Sequence, residues 1–161
     1  MDEPASPPIS ITITDAPTNI PSANIPVTLT LLSSSMPQNH QHTFHGLTNS
    51  HGQLNAEWVP RPHSSAMHSG VLHSGSTHSD NPNPLPLDAV FEEANGKMVW
   101  ACRIEVKEYF EGKGLRPLLP EVEFKISTEG YFGAGGRGVK RGTWDFRVMI
   151  GEERFAIERS G

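Results

Sequence analysis

The feature that most restricts how this chain can fold is a strict alternation of apolar and polar residues. In "ISITIT" (9–14), Ile9, Ile11 and Ile13 alternate with Ser10, Thr12 and Thr14. Successive side chains of an extended strand point to opposite faces, so a period of two marks a strand with one buried side and one open side. "IPVTLTLL" (25–32) repeats the rhythm with Val27, Leu29 and Leu31, and "QLNAEW" (53–58) with Leu54, Ala56 and Trp58. So do "EVEFKIS" (121–127), "TWDFRVMI" (143–150) and "RFAIERS" (154–160), the last with Phe155 and Ile157 inward. "GKMVWACRIEV" (96–106) is a more continuously apolar run and reads as a central strand, and "KEYFEGKG" (107–114) suits one or two helical turns closed by a stop glycine. About seven short strands and one short helix predict an all-β fold, an antiparallel β-sandwich.

The 161 residues suit one domain. Residues 1–8 read as a flexible lead-in and 9–161 as the domain. The whole chain's 14 prolines and 15 glycines place much of the length in loops. The longest loop is 59–95. Within it His63, His68, His73 and His78 recur every five residues, each followed by Ser, a period that matches neither a helix nor a strand face. A Gly-rich loop spans 127–142, and its "GAGGRG" reads as a hairpin tip, since no P-loop context accompanies it.

A net charge of −5, with a single base, Arg61, in residues 1–95, does not suit nucleic-acid binding. No apolar stretch approaches the length of a membrane span. One cysteine, Cys102, excludes an intramolecular disulfide and sits where a buried, inert thiol is expected. These features point to a cytoplasmic protein. The histidines, including His40, His42 and His45, lack the Cys or carboxylate neighbours that would complete a metal site, so no metal and no cofactor is expected.

Alternation also sorts the polar residues. Thr12, Gln53, Asp145 and Glu158, from four strands, point away from the core. The closing hairpin carries Asp145, Arg147, Glu158 and Arg159 in its polar row. For an ordinary sandwich that face meets water, with Asp145 paired to Arg147 or Arg159.

Longer segments carry a resemblance. "ITITDAPTNIPSANIPVTL" resembles, without gaps, the opening of the transthyretin and 5-hydroxyisourate hydrolase family, which reads like "THVLDTAAGRPAAGVPVRL". "GLTNSHGQ" is similar to its "GxTNxDGR" turn, and "YFEGKGLRPLLPEVEFKI" to its "YFxxxGxxxFFPEVxVxF". "TWDFRVMIGEERFAIERSG" lies on its terminal "HYHVPLLLSPxxYSTYRGS". The resemblance implies a sandwich with one short helix, assembled as a homotetramer, a dimer of dimers, whose central channel holds small-molecule sites. The outward face would then line that channel.

At the family's catalytic positions the sequence differs. Thr12 stands for the first histidine, Gln53 for an arginine, Asp145 for the second histidine, and "ERSG" for "YRGS". Threonine and glutamine supply neither a base near neutrality nor a cation. The replacements are all hydrogen-bonding groups, which suggests a changed site rather than an abandoned one. Carboxylates brought together in a partly dry channel can hold one proton between them, a donor beside an acceptor. The expected roles are Asp145 and Glu158 as general acid and base, Thr12, Gln53, His51 and Ser160 as substrate contacts, and Arg159 as the group that orients a substrate carboxylate. The expected function is acid/base catalysis on a small ring-containing metabolite: a cyclase, isomerase or lactone-type hydrolase. A true 5-hydroxyisourate hydrolase and a non-catalytic carrier are the alternatives.

Overall fold

The computed structural model describes residues 7–34, 42–55, 58–62, 84–94, 97–128 and 144–160. His40, the histidine ladder from His63 to His78 and the Gly-rich stretch 129–142 lie outside the described residues. Ten strands and two helices follow one another in the described chain: β1 (Ile9–Asp15), β2 (Ile20–Pro21), β3 (Pro26–Ser33), β4 (Thr43–Leu47), β5 (Gln53–Leu54), β6 (Val59–Pro60), α1 (Leu87–Glu93), β7 (Val99–Glu105), α2 (Lys107–Glu111), β8 (Glu121–Ser127), β9 (Trp144–Ile150) and β10 (Phe155–Ser160).

They form two sheets. The first runs β10-β9-β1-β2, with β5 also on β1, and the second runs β6-β4-β3-β7-β8. Pairing is antiparallel except that β1 lies parallel to β9 along their full lengths. The alternating isoleucines explain why β1 is central: Ile9, Ile11 and Ile13 are wholly buried while the residues between them are half-exposed. Burying each such side chain contributes about 1.5–3 kcal/mol. Facing them across the interior are Val27 and Leu29 of β3, Trp100, Cys102 and Ile104 of β7, and Val122 and Ile126 of β8. Phe124 of β8 meets Phe146 of β9 with ring centroids 6.1 Å apart, which sets β8 over β9. Trp58 fastens the sheets elsewhere, its indole N–H donating to the Ile9 carbonyl at 2.9 Å.

Helix α1 lies inside the 59–95 segment expected to be loop. Leu87, Val90, Phe91 and Ala94 recur at helical spacing and are all buried, with Phe91 stacked on Trp100 at 5.6 Å. The histidine ladder upstream hides this short amphipathic signal. Strand β4 was also unanticipated, because Phe44 alone of its five residues is buried. Phe155, expected inward, is 40% exposed because β10 is an edge strand.

Helix α2 buries Phe110, and its chain leaves through Gly114 in the left-handed region, φ +73°, while Leu115 N–H donates back to the Phe110 carbonyl. Cys102 is a free thiol in the core; burial, with Glu123 nearby, pushes its pKa well above the usual range, so the thiolate that would react is suppressed.

Candidate functional site

Register along the first sheet decides which polar side chains meet. Thr12 of β1 pairs with Gln53 of β5 on one side and with Arg147 of β9 on the other, and Arg147 pairs with Glu158 of β10. Paired residues share a face, so Gln53, Thr12, Arg147 and Glu158 form one row across four strands. A second row holds Ser10, Asp145 and Ser160, and a third holds Thr14, Met149 and Ala156. Asp145 is therefore diagonal to Glu158 rather than opposite it, a separation of about 7–8 Å at this spacing. Asp145, Thr12, Gln53 and Ser160 are half-buried, whereas Arg147 and Glu158 are exposed. Among the described residues neither carboxylate is in an ion pair.

Gln53 reaches its row through the turn before it. Thr48 is buried, its hydroxyl donating to the Ser22 carbonyl at 2.7 Å and accepting from Ile25 N–H at 2.9 Å. The Asn49 side chain accepts from the backbone N–H of His51 and of Gln53, at 2.9 and 3.0 Å. Gly52 follows with φ +69°, and a Cβ there would lie 2.4 Å from the Ile13 carbonyl oxygen. "TNSHG" is thus a turn built to lay Gln53 beside Thr12. His51 sits exposed on it, its backbone rather than its ring engaged.

Arg159 does not join the outward row. It pairs with Phe146, a core residue, and its guanidinium stacks 3.7 Å from the Trp144 ring centroid. Glu158 and Arg159 are neighbours on one strand and so must face opposite ways; the period of two that placed Glu158 outward already required this. Arg147, two residues from Asp145 on β9, has the outward phase instead.

A second polar group braces the rear of β1. Asp15 is 3% exposed. Its Oδ2 accepts from Lys113 Nζ at 2.6 Å and from Tyr109 Oη at 3.1 Å, and Lys113 also lies over the Tyr109 ring. Burial raises the Asp15 pKa, but the Lys113 and Tyr109 hydrogen bonds outweigh it, and the net shift is downward. The Lys113 ammonium is shifted upward by the same bond to Asp15. Among the described residues, no group of three His, Cys, Asp or Glu is placed to hold a metal ion, and no helix is long and apolar enough to cross a membrane.

No family model and no curated protein sequence matches this chain. Solved structures do. Transthyretin from Sparus aurata is 11% identical, with 95% of this chain and 96% of that chain covered at a TM-score of 0.56. The 5-hydroxyisourate hydrolase of Klebsiella pneumoniae is 12% identical, covering 95% and 98% at a TM-score of 0.53. The chain has the transthyretin fold. Sea bream transthyretin in complex with thyroxine is similar too, 10% identical over 95% and 94% of the two chains, with a TM-score of 0.54. The transthyretin fold thus accommodates both a hydrolase and a thyroxine-binding protein, and in this chain the outward face of its first sheet carries the polar rows.

Proposed function

We propose that the chain is a cofactor-independent acid/base enzyme acting on a small ring-containing metabolite, in the class of cyclases, isomerases and lactone-type hydrolases. The observation that carries this reading is the convergence, by register, of Asp145 and Glu158 with Thr12, Gln53 and Ser160 on one face of one sheet. Closed over by other copies in a homotetramer, that face becomes a channel in which Asp145 and Glu158 serve as the acid/base pair. Asp145 takes a proton from the ring carbon beside a carbonyl, and Glu158 gives one to the carbonyl oxygen. Return of a proton at a different atom leaves an isomer of unchanged composition and resets both groups. Thr12, Gln53 and Ser160 hold the ring by hydrogen bonds, and His51 stands at the channel's lip. Cys102, a free thiol sealed in the core, supports a cytoplasmic setting.

Similarity to a 5-hydroxyisourate hydrolase favours that activity as a second reading. Thr12, Gln53 and Asp145 weigh against it, since they replace the histidines and arginine that the resemblance would require. A carrier, as suggested by the thyroxine complex, calls for an apolar channel, and these rows are polar.

The test uses a panel of cyclic ketones, keto acids and lactones in D2O, followed by proton NMR. The chain should wash deuterium into the carbon next to the carbonyl of at least one compound, and Asp145→Asn should abolish this while leaving the assembly intact. An Asp145→Asn variant that exchanges at the wild-type rate sinks the assignment. Rapid hydrolysis of freshly generated 5-hydroxyisourate would instead support the second reading.

A further inference from the structure

We infer that Arg147 is the anion-binding group of this face, and that the substrate is a ring compound bearing one carboxylate. This rests on the acid/base reading above. Among the described residues on the outward face of the first sheet, Arg147 is the single cation, because Arg159 turns to the other side and stacks on Trp144. It occupies the middle of the row, with Thr12 and Gln53 to one side and Glu158 to the other. Asp145 is two residues along the same strand, about 6.6–6.8 Å away at strand spacing. Although Glu158 is directly opposite, no ion pair forms between them. The guanidinium is exposed and presents a planar fork that matches a carboxylate with two parallel hydrogen bonds.

Charge sets the substrate's valence. Arg147 is one cation beside two carboxyl side chains, so a monoanion matches it with one charge. The second charge of a dianion would lie toward the carboxyl side chains of Asp145 and Glu158 and be disfavoured there. A carboxylate seated on Arg147 sets the adjoining ring atoms between Asp145 and Glu158, within reach of both.

The experiment compares 3-oxocyclohexane-1-carboxylate with its methyl ester as probes, reading binding by saturation-transfer NMR and calorimetry, and exchange in D2O. The wild-type chain should bind the acid about tenfold to a hundredfold more tightly than the ester, the range for one charged hydrogen-bonded contact. Arg147→Met should erase that preference, and Arg147→Lys, which keeps the charge without the fork, should retain part of it. Unchanged sedimentation and melting of both variants would show that the fold survives. Retention of full acid preference in Arg147→Met, or equal wild-type binding of acid and ester, overturns the inference. Equal exchange of acid and ester leaves the acid/base reading standing while the Arg147 assignment falls. Preferential binding of the acid without exchange in the wild-type chain upholds Arg147 as the anion site and removes the acid/base reading.

Discussion

Gly52 shows how a single residue positions the polar row. Its left-handed backbone and the 2.4 Å approach of a hypothetical Cβ to the Ile13 carbonyl leave room for hydrogen alone. Gly52 also accepts the Ile13 N–H hydrogen bond at 2.7 Å, so any shift there travels into β1. Gly52→Ala should therefore destabilise the fold by about 2 kcal/mol or more, combining left-handed strain with overpacking. Urea unfolding measures this, and a loss under about 0.5 kcal/mol, ordinary for an exposed surface site, would contradict it. Much of the site is legible in sequence because parity along a strand is local: Thr12, Asp145 and Glu158 share a face by counting alone. The same count separates Glu158 from Arg159, and grouping both in one polar row ignored it. What parity cannot supply is register between strands. The sequence contains no signal that Glu158 falls opposite Arg147 rather than opposite Asp145, since that depends on the length of the β9–β10 turn and on how β1 pairs in parallel with β9.

At the scale of elements, the tie between Asp15 at the end of β1 and Lys113 just beyond α2 holds the helix against the first sheet. The Asp15 carboxyl has a lowered pKa when folded, so its contribution is present above the ordinary carboxylate range and is lost as pH falls through its folded value. The Lys113 pKa is raised, so its contribution is full below the ordinary lysine range and is lost as pH climbs through the folded value. The brace thus operates across the neutral range and fails at both ends. Lys113→Met should cost about 1.5–3 kcal/mol at neutral pH by leaving the buried carboxylate short of a charged hydrogen bond. The difference from the parent chain should shrink as pH falls from the usual carboxylate range through the lowered folded value of Asp15, below which the carboxyl is protonated in both chains. Melting temperatures of the two chains across pH measure this, and a constant difference down to strong acid would contradict it. Sequence showed α2 and the long strands, whose periodicity is unbroken, but missed β4 and α1. In β4 a single buried Phe44 carries no period, and in α1 a seven-residue helix stands behind Pro-rich text.

For the whole molecule, the rows on the first sheet act as a site only when something encloses them. Among the described residues β10 of the first sheet and β8 of the second are edge strands, and they lie on the same flank, as the Phe124 and Phe146 contact shows. Unpaired backbone N–H and C=O groups along such edges favour pairing with another chain. Edge pairing joins two copies without covering the polar rows, so enclosure requires a second contact, face to face. The third row offers one: Thr14, Met149 and Ala156 are small or apolar, and Met149 is 37% exposed. The wild-type chain should therefore sediment as four copies at micromolar concentration. Met149→Glu places a charge in the face contact and leaves both edges intact, so it should sediment as two copies with little change in melting. That variant should also lose turnover with Asp145 and Glu158 both present, because a face left open to bulk water no longer excludes solvent from the reacting groups. A Met149→Glu dimer that keeps full activity would show that one sheet face in water suffices, and a wild-type monomer would remove the channel from the mechanism altogether.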